Sequence, residues 1–194
     1  MNHHNYVPGS GEYMPENKFE EIGLEYATRM VNSGPVIMIS AAYGNERAVM
    51  TVAWNMPVQK SPPLIAIAIG TKHHTTGIIE QSGEFIINIP GHEILDVVKY
   101  CGSVSGHRES KFESGKFDTT MGKIVYAPVL SGVMGIIECK VARTVNMGDH
   151  GIYLGRAVRC AARKGCFHEV WKVSEGKAQL IHHLGGSYFY NPKP

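Results

Sequence analysis

Two short stretches of this 194-residue chain hold the residue types best suited to chemistry. The first is Met50-Thr51-Val52-Ala53-Trp54-Asn55. As a strand it places Thr51, Ala53 and Asn55 on one face and Val52 and Trp54 on the other. A hydroxyl and an amide can bond the donor-and-acceptor edge of a heteroaromatic ring, and an indole can wall it. The same residues also fit a polar strand face turned to water at a barrel mouth. The second stretch is Thr71-Lys72-His73-His74-Thr75-Thr76, at the exit of the apolar run Leu64–Ile69. Threonines at a helix start can cap it, and exposed N–H groups, the helix dipole and the Lys72 charge favour an anion. Thr75 as a plain N-cap beside two solvated histidines is the simpler alternative. Together the two stretches suit a ligand with a flat ring at one end and a phosphate at the other.

Two loops could complete such a site. Cys101-Gly102-Ser103-Val104-Ser105-Gly106-His107-Arg108, closing with Lys111-Phe112, can lie over a ligand and offer backbone donors. It reads equally well as a mobile surface loop. Cys101 suits a redox thiol or a small buried residue, the latter being the default for a reduced cysteine. In Gly148-Asp149-His150-Gly151, a histidine at the head of a strand could donate to a ring carbonyl or move a proton; an incidental turn histidine also fits. The chain has ten histidines, yet no His/Cys/Asp spacing resembles a closed metal site, and His182-His183 on a strand point to opposite faces. No metal is expected.

The elements that must position these residues are mostly short strands. Pro35–Ala41 and Ala48–Trp54 form a hairpin around Tyr43-Gly44-Asn45-Glu46. After the turn at Ser61-Pro62-Pro63, Leu64–Ile69 is continuously apolar and so buried on both faces or set in a barrel wall. Thr75–Ser82 is helical and ends at Gly83. Glu84–Ile89 alternates as a strand, and Glu93–Gly102 reads as a short helix. Gly135–Arg143 and Ile152–Ala162 are long strands around the turn that carries His150. Phe19, Ile22, Tyr26 and Met30 approach helical spacing, with Gly23 against it. Residues 1–16 are unpatterned and read as an arm before a single domain over 17–194. Strands dominate without βαβ alternation, which makes the fold mainly β: a barrel with a few helices.

Bulk properties narrow the function classes. Hydrophobic residues make up 43% and charged residues 19%, ordinary for a globular domain. A net charge of +2 with scattered lysines and arginines argues against nucleic acid. No apolar run reaches membrane-spanning length. The N-terminus lacks the order of a signal peptide. Four cysteines without a C-x-x-C pair read as reduced thiols, and a cytoplasmic location is expected.

The ordered set Thr51-Val52-Ala53-Trp54-Asn55, Ser61-Pro62-Pro63, Thr75-Thr76-Gly77-Ile78-Ile79, Gly83-Glu84-Phe85, Asn88, Ser105-Gly106, Lys111-Phe112, Pro128, Glu138-Cys139, Gly148-Asp149-His150 and Gly155 resembles the flavin reductase-like, FMN-binding split-barrel family. The flavoredoxin branch is the most similar. Ser61 stands where many flavin reductases carry an acidic residue before the Pro-Pro pair. The resemblance implies a Greek-key split barrel, a homodimer and non-covalent FMN. It implies that Thr51, Trp54 and Asn55 line the ring and ribityl region. Lys72, Thr75 and Thr76 hold the phosphate, with Asn88 nearby. Ser103, Ser105 and Lys111 close over the cofactor, and His150 approaches the ring and is the catalytic candidate. The implied electron donor is NAD(P)H or a redox protein; a flavin-storing protein without turnover is the alternative.

Overall fold

The computed structural model describes residues 19–190. The arm expected over residues 1–16 lies outside them. In chain order the elements are β1 (Phe19–Ile22), α1 (Ala27–Val31), β2 (Ile37–Tyr43), β3 (Glu46–Val52), β4 (Asn55–Lys60), β5 (Pro63–Gly70), α2 (His74–Ser82), β6 (Glu84–Pro90) and α3 (Leu95–Ser103). They continue with β7 (Thr119–Met121), β8 (Pro128–Leu130), β9 (Val133–Asn146), β10 (His150–Arg163), β11 (Phe167–His168), β12 (Val170–Trp171), β13 (His182–Gly185) and β14 (Tyr188–Tyr190).

The main sheet is antiparallel, in the order β3-β2-β6-β9-β10-β5-β4, with β1 added on β10. Its first and last strands, β3 and β4, are consecutive in the chain and joined only by Ala53 and Trp54. Two linking residues allow at most about 11 Å between the Cα atoms of Val52 and Asn55. The two edges of the sheet must therefore lie side by side, and the sheet curls into a barrel. The Ala68 amide donates to the Trp54 carbonyl at 2.9 Å and holds this link against β5.

Alternation sorts the strands into an inner and an outer core. Ile37, Ile39 and Ala41 of β2, Ile65, Ile67 and Ile69 of β5, Phe85, Ile87 and Ile89 of β6, and Tyr153 of β10 pack together inside. The opposite faces of these walls supply Met38, Val49, Ile86 and Ile136, which pack with Val98 and Cys101 of α3 and Val129 and Leu130 of β8. Strands β2 and β6 are thus buried on both faces, which is why their sequences are almost wholly apolar, Ser40 and Asn88 excepted. Helix α2 adds Ile78 and Ile79 to the inner core, and the Tyr153 hydroxyl donates to Glu80 at 2.6 Å. Gly83 closes the helix at φ +69°, a conformation that favours glycine, and its amide donates to the Ile79 carbonyl.

Behind the sheet, the fully buried Glu138 carboxylate accepts from the amides of Lys123, Ile124 and Val125 at 3.1, 2.7 and 2.7 Å. Arg159 also donates to it, at 2.6 Å. Burial opposes ionisation of this group, but the amides and the guanidinium outweigh it and hold the carboxyl below its ordinary range.

Several sequence expectations need correction. The segment with helical spacing splits at Gly23 into strand β1 and helix α1, because β1 pairs with β10 and tertiary pairing overrides local periodicity. The strand expected to end at Trp54 ends at Val52, and a strand not anticipated, β4, follows and pairs with β5. The helix expected at Thr75 begins at His74 after N-cap His73, with no side-chain cap bond. The helix expected over Glu93–Gly102 is a single 3-10 turn, His92–Ile94, followed by α3.

Candidate functional site

Three cavities lie in a row across the barrel end. The largest, about 560 Å³, is walled by apolar Val36, Ala53, Val98 and Phe189, with Lys99 and His183 at its edge. It shares Thr51, Gly102 and Ser103 with a central cavity of about 340 Å³. The central one is polar: Lys72, His73, His74 and Thr75 come from the start of α2, and Ser105, Gly106 and His107 from the loop after α3. A third cavity of about 250 Å³ shares His74, Gly106 and Lys111 with the central one.

The start of α2 gathers the polar groups that the sequence marked for an anion. Buried Thr76 turns its hydroxyl inward and donates to the Gly70 carbonyl at 2.8 Å, fixing the turn between β5 and the helix. The hydroxyl of its neighbour Thr75, only 3% exposed, faces the central cavity and makes no hydrogen bond among the described residues. The amides of His74 and Thr75, first in the helix, likewise meet no acceptor among them. Lys72 lines the same cavity, and helix N–H groups, a hydroxyl and a cation are together suited to an anion.

Histidines surround that spot. The rings of His74 and His107 meet edge to face at 5.1 Å, and His107 Nε2 lies 3.2 Å from the Lys72 carbonyl. Gly106 packs so closely on His74 that a Cβ there would stand 2.9 Å from its ring nitrogen. Partial burial, then the charges of Lys111, His150 and His107, hold His73 below the ordinary histidine range.

The expected site residues fall into three groups. Thr51, Lys72, Thr75, Ser103 and Ser105 come together around the central cavity. The Thr51 hydroxyl is tied to the Val98 carbonyl at 2.6 Å, and Ser103 donates to the Tyr100 carbonyl at 3.2 Å. Trp54 and His150 form a second group at the rim. Trp54 is 64% exposed, its ring 5.1 Å from that of His150, whose Nδ1 sits 3.0 Å from Asp149 Oδ1. That hydrogen bond holds the Asp149 carboxyl below its usual range.

The remaining four, Asn55, Thr76, Asn88 and Lys111, make hydrogen bonds within the fold, although the buried Oδ1 of Asn55 has no partner among the described residues. Asn55 donates to the Pro35 carbonyl at 2.9 Å and lines neither of the two larger cavities. Asn88, expected near the phosphate, is fully buried: it donates to Ser40 at 2.9 Å and accepts from the Leu130 amide at 3.0 Å, joining β2, β6 and β8. Lys111, expected to close over the ligand, is 6% exposed and donates to the Val49 and Cys101 carbonyls at 2.8 and 2.7 Å. Burial pushes its ammonium below the ordinary lysine range. It is a strut between β3 and α3 that also walls two cavities. Cys101 is buried, and burial pushes its thiol up to about 11, well above the range of a reactive thiol.

Val36, Val98 and Phe189 were not anticipated as cleft residues; they are remote in sequence and meet at the cleft through folding.

The chain is similar over 178 residues to the Escherichia coli K12 protein YddH, at 31% identity, covering 89% of this chain and 94% of that one. Its fold matches an FMN-binding domain of a flavin reductases-like enzyme from Shewanella baltica OS155, with TM-score 0.82, 22% identity and coverage of 91% and 95%. It also matches flavoredoxin from Methanosarcina acetivorans, with TM-score 0.73, 21% identity and coverage of 82% and 85%. Residues 29–185 match the flavin reductase like domain model, and with that match the chain is a member of the flavin reductase-like family, built as its split barrel.

Proposed function

We propose that this protein binds FMN without a covalent bond and works as an oxidoreductase or a flavoredoxin-like electron carrier. The observation that carries this reading is the unpartnered, nearly buried Thr75 hydroxyl at the start of α2, aimed into a cavity beside Lys72. Lys72, Thr75 and the first amides of α2 would hold the phosphate. Thr51, Ala53, Val98 and Phe189 would flank the ribityl chain and ring toward the larger cavity. The bound flavin would supply the redox chemistry, and the protein its pose, donors and solvent access. His150, braced by Asp149 and Trp54, is the side chain at the rim best placed to hydrogen-bond a ring or an incoming substrate.

The electron donor in this reading is NAD(P)H or a reduced redox protein. A homodimer belongs to the same proposal. Met56, Ala66 and Leu154 lie abreast on the outer face of β4, β5 and β10, flanked by Ala68 and Ile152, and Met56 is 57% exposed. This apolar face runs to Trp54, so a second copy seated on it would border the rim. The four unpaired thiols fit a reducing compartment such as the cytoplasm.

The test is the visible spectrum of the purified protein before and after anaerobic NADH or NADPH. Oxidised-flavin bands that bleach support the reductase. Bands that persist with both donors but bleach with a reduced redox protein support the carrier, and bands that resist every donor indicate flavin storage. A colourless protein that takes up no added FMN refutes the proposal.

A further inference from the structure

The largest cavity has a wall that the anion site does not touch. Hairpin β13–β14 supplies His183, Gly186, Ser187 and Phe189 to the 560 Å³ cavity and nothing to the central one. The chain leading into it is tied down where the Val36 amide donates to the Ile181 carbonyl at 2.7 Å. Its tip turns through Gly185 at φ +112° and Gly186 at φ +55°, backbone that favours glycine. Across the two strands His183 pairs with Phe189, their rings edge to face at 5.2 Å. His183 Nε2 lies 3.0 Å from the Gly186 carbonyl, which only accepts, so Nε2 donates and Nδ1 is left for a ligand.

Helix α3 adds Val98 and Lys99 to the same cavity. Among the described residues Lys99 makes no ion pair, and no aspartate or glutamate lines the cavity. The ionisable side chains of its walls are therefore one lysine and one histidine, beside apolar Val36, Val98 and Phe189. A cation without a counter-charge next to apolar walls suits a ligand with a flat apolar body and one negative group. At about 560 Å³ the cavity falls within the range of small-molecule pockets, about 300–1,000 Å³. Lys99 and Phe189 line one cavity, so the negative group must lie close to the ring that carries it. A nicotinamide dinucleotide does not meet that condition, because a ribose separates its nicotinamide from its phosphates.

We infer that the hairpin side of this cavity is a substrate subsite for a small aromatic carboxylate, with Lys99 pairing its carboxylate and Phe189 packing its ring. The inference rests on the flavin reading for the subsite's role. A flavin ring entering from the central cavity across Thr51, Gly102 and Ser103 would leave the hairpin side to the acid.

The test is a calorimetric titration of the FMN-loaded protein with benzoate and with its neutral analogue benzamide, for the wild type, Lys99→Met and Lys99→Arg. Flavin absorbance is followed in parallel. Lys99 is exposed, so neither replacement disturbs the core, and solvent screens part of its charge. The wild type is expected to bind benzoate about fivefold tighter than benzamide, and Lys99→Met to bind the two within about twofold. Lys99→Arg should restore the preference. A wild type that binds neither probe or both equally, or a preference that survives Lys99→Met, overturns the subsite. So does benzoate that displaces FMN, or loss of FMN from Lys99→Met, since either places the flavin itself on the hairpin side. All of these leave the flavin reading standing. A protein that takes up no FMN yet prefers benzoate through Lys99 overturns the flavin reading and keeps the anion subsite; one that does neither overturns both.

Discussion

Adjacent threonines at the start of α2 should separate ligand binding from stability. Thr75 and Thr76 are both buried, yet Thr76 donates to the Gly70 carbonyl at 2.8 Å while Thr75 lines the cavity and its hydroxyl has no partner among the described residues. Valine is nearly isosteric with threonine and close to it in helix propensity, so each replacement removes little beyond the hydroxyl. In Thr75→Val the folded apoprotein loses no internal hydrogen bond, so its stability should stay within about 0.5 kcal/mol of wild type. Its flavin affinity should fall, because a hydrogen bond to a charged group contributes about 1.5–3 kcal/mol. That corresponds to a Kd about 10- to 150-fold higher. Thr76→Val should do the reverse. It removes a buried bond of about 1 kcal/mol, lowering Tm by about 2–4 °C for a domain of this size, with flavin affinity nearly unchanged. Quenching of flavin fluorescence measures the first quantity and thermal unfolding of the apoprotein the second. A Thr75→Val protein that binds FMN within twofold of wild type would refute the assignment of that hydroxyl to the phosphate.

Other consequences follow from burial and charge. Glu138→Gln should cost about 3 kcal/mol at neutral pH, since it leaves Arg159 facing a neutral partner in a buried setting, although Glu21 still pairs with that guanidinium at 2.7 Å. Because the folded carboxyl titrates below its ordinary value, its contribution is fully present above the unfolded pKa and is lost as pH falls through the folded one. Urea unfolding from neutral to acid pH should show the wild type losing that increment and the variant lacking it throughout. Burial raises Cys101 to about 11 and Cys160 to about 12, and pushes Cys139 and Cys166 upward as well. All four thiols should therefore resist a disulfide-exchange reagent at pH 8 until denaturant is added; prompt reaction of any one in the native protein would show its burial to be wrong. Met56→Glu, on the apolar outer face, should convert a dimer to a monomer by light scattering, and an unchanged mass would place the contact elsewhere.

What the sequence determined is local. Apolar runs announced the strands β2, β5 and β6, and Gly83 marked the end of α2, because strand patterning and left-handed backbone are properties of a few neighbouring residues. Clustered hydroxyls with Lys72 suggested an anion site for the same reason, and the ordered landmarks from Thr51 to Gly155 identified the family. The edge strand β4 escaped notice because its prolines, polar residues and exposed apolar side chains acquire strand geometry only from β5. Local pattern could not say which polar groups stay free. Thr51, Asn55, Thr76, Asn88 and Lys111 look as reactive in sequence as Thr75, yet each meets a partner brought from 6 to 62 residues away. A buried polar group must be satisfied, and only the closed barrel determines which are satisfied by the protein itself. Among the described residues, the Thr75 hydroxyl beside its cavity and the buried Asn55 Oδ1 are the groups here that the protein leaves unpartnered.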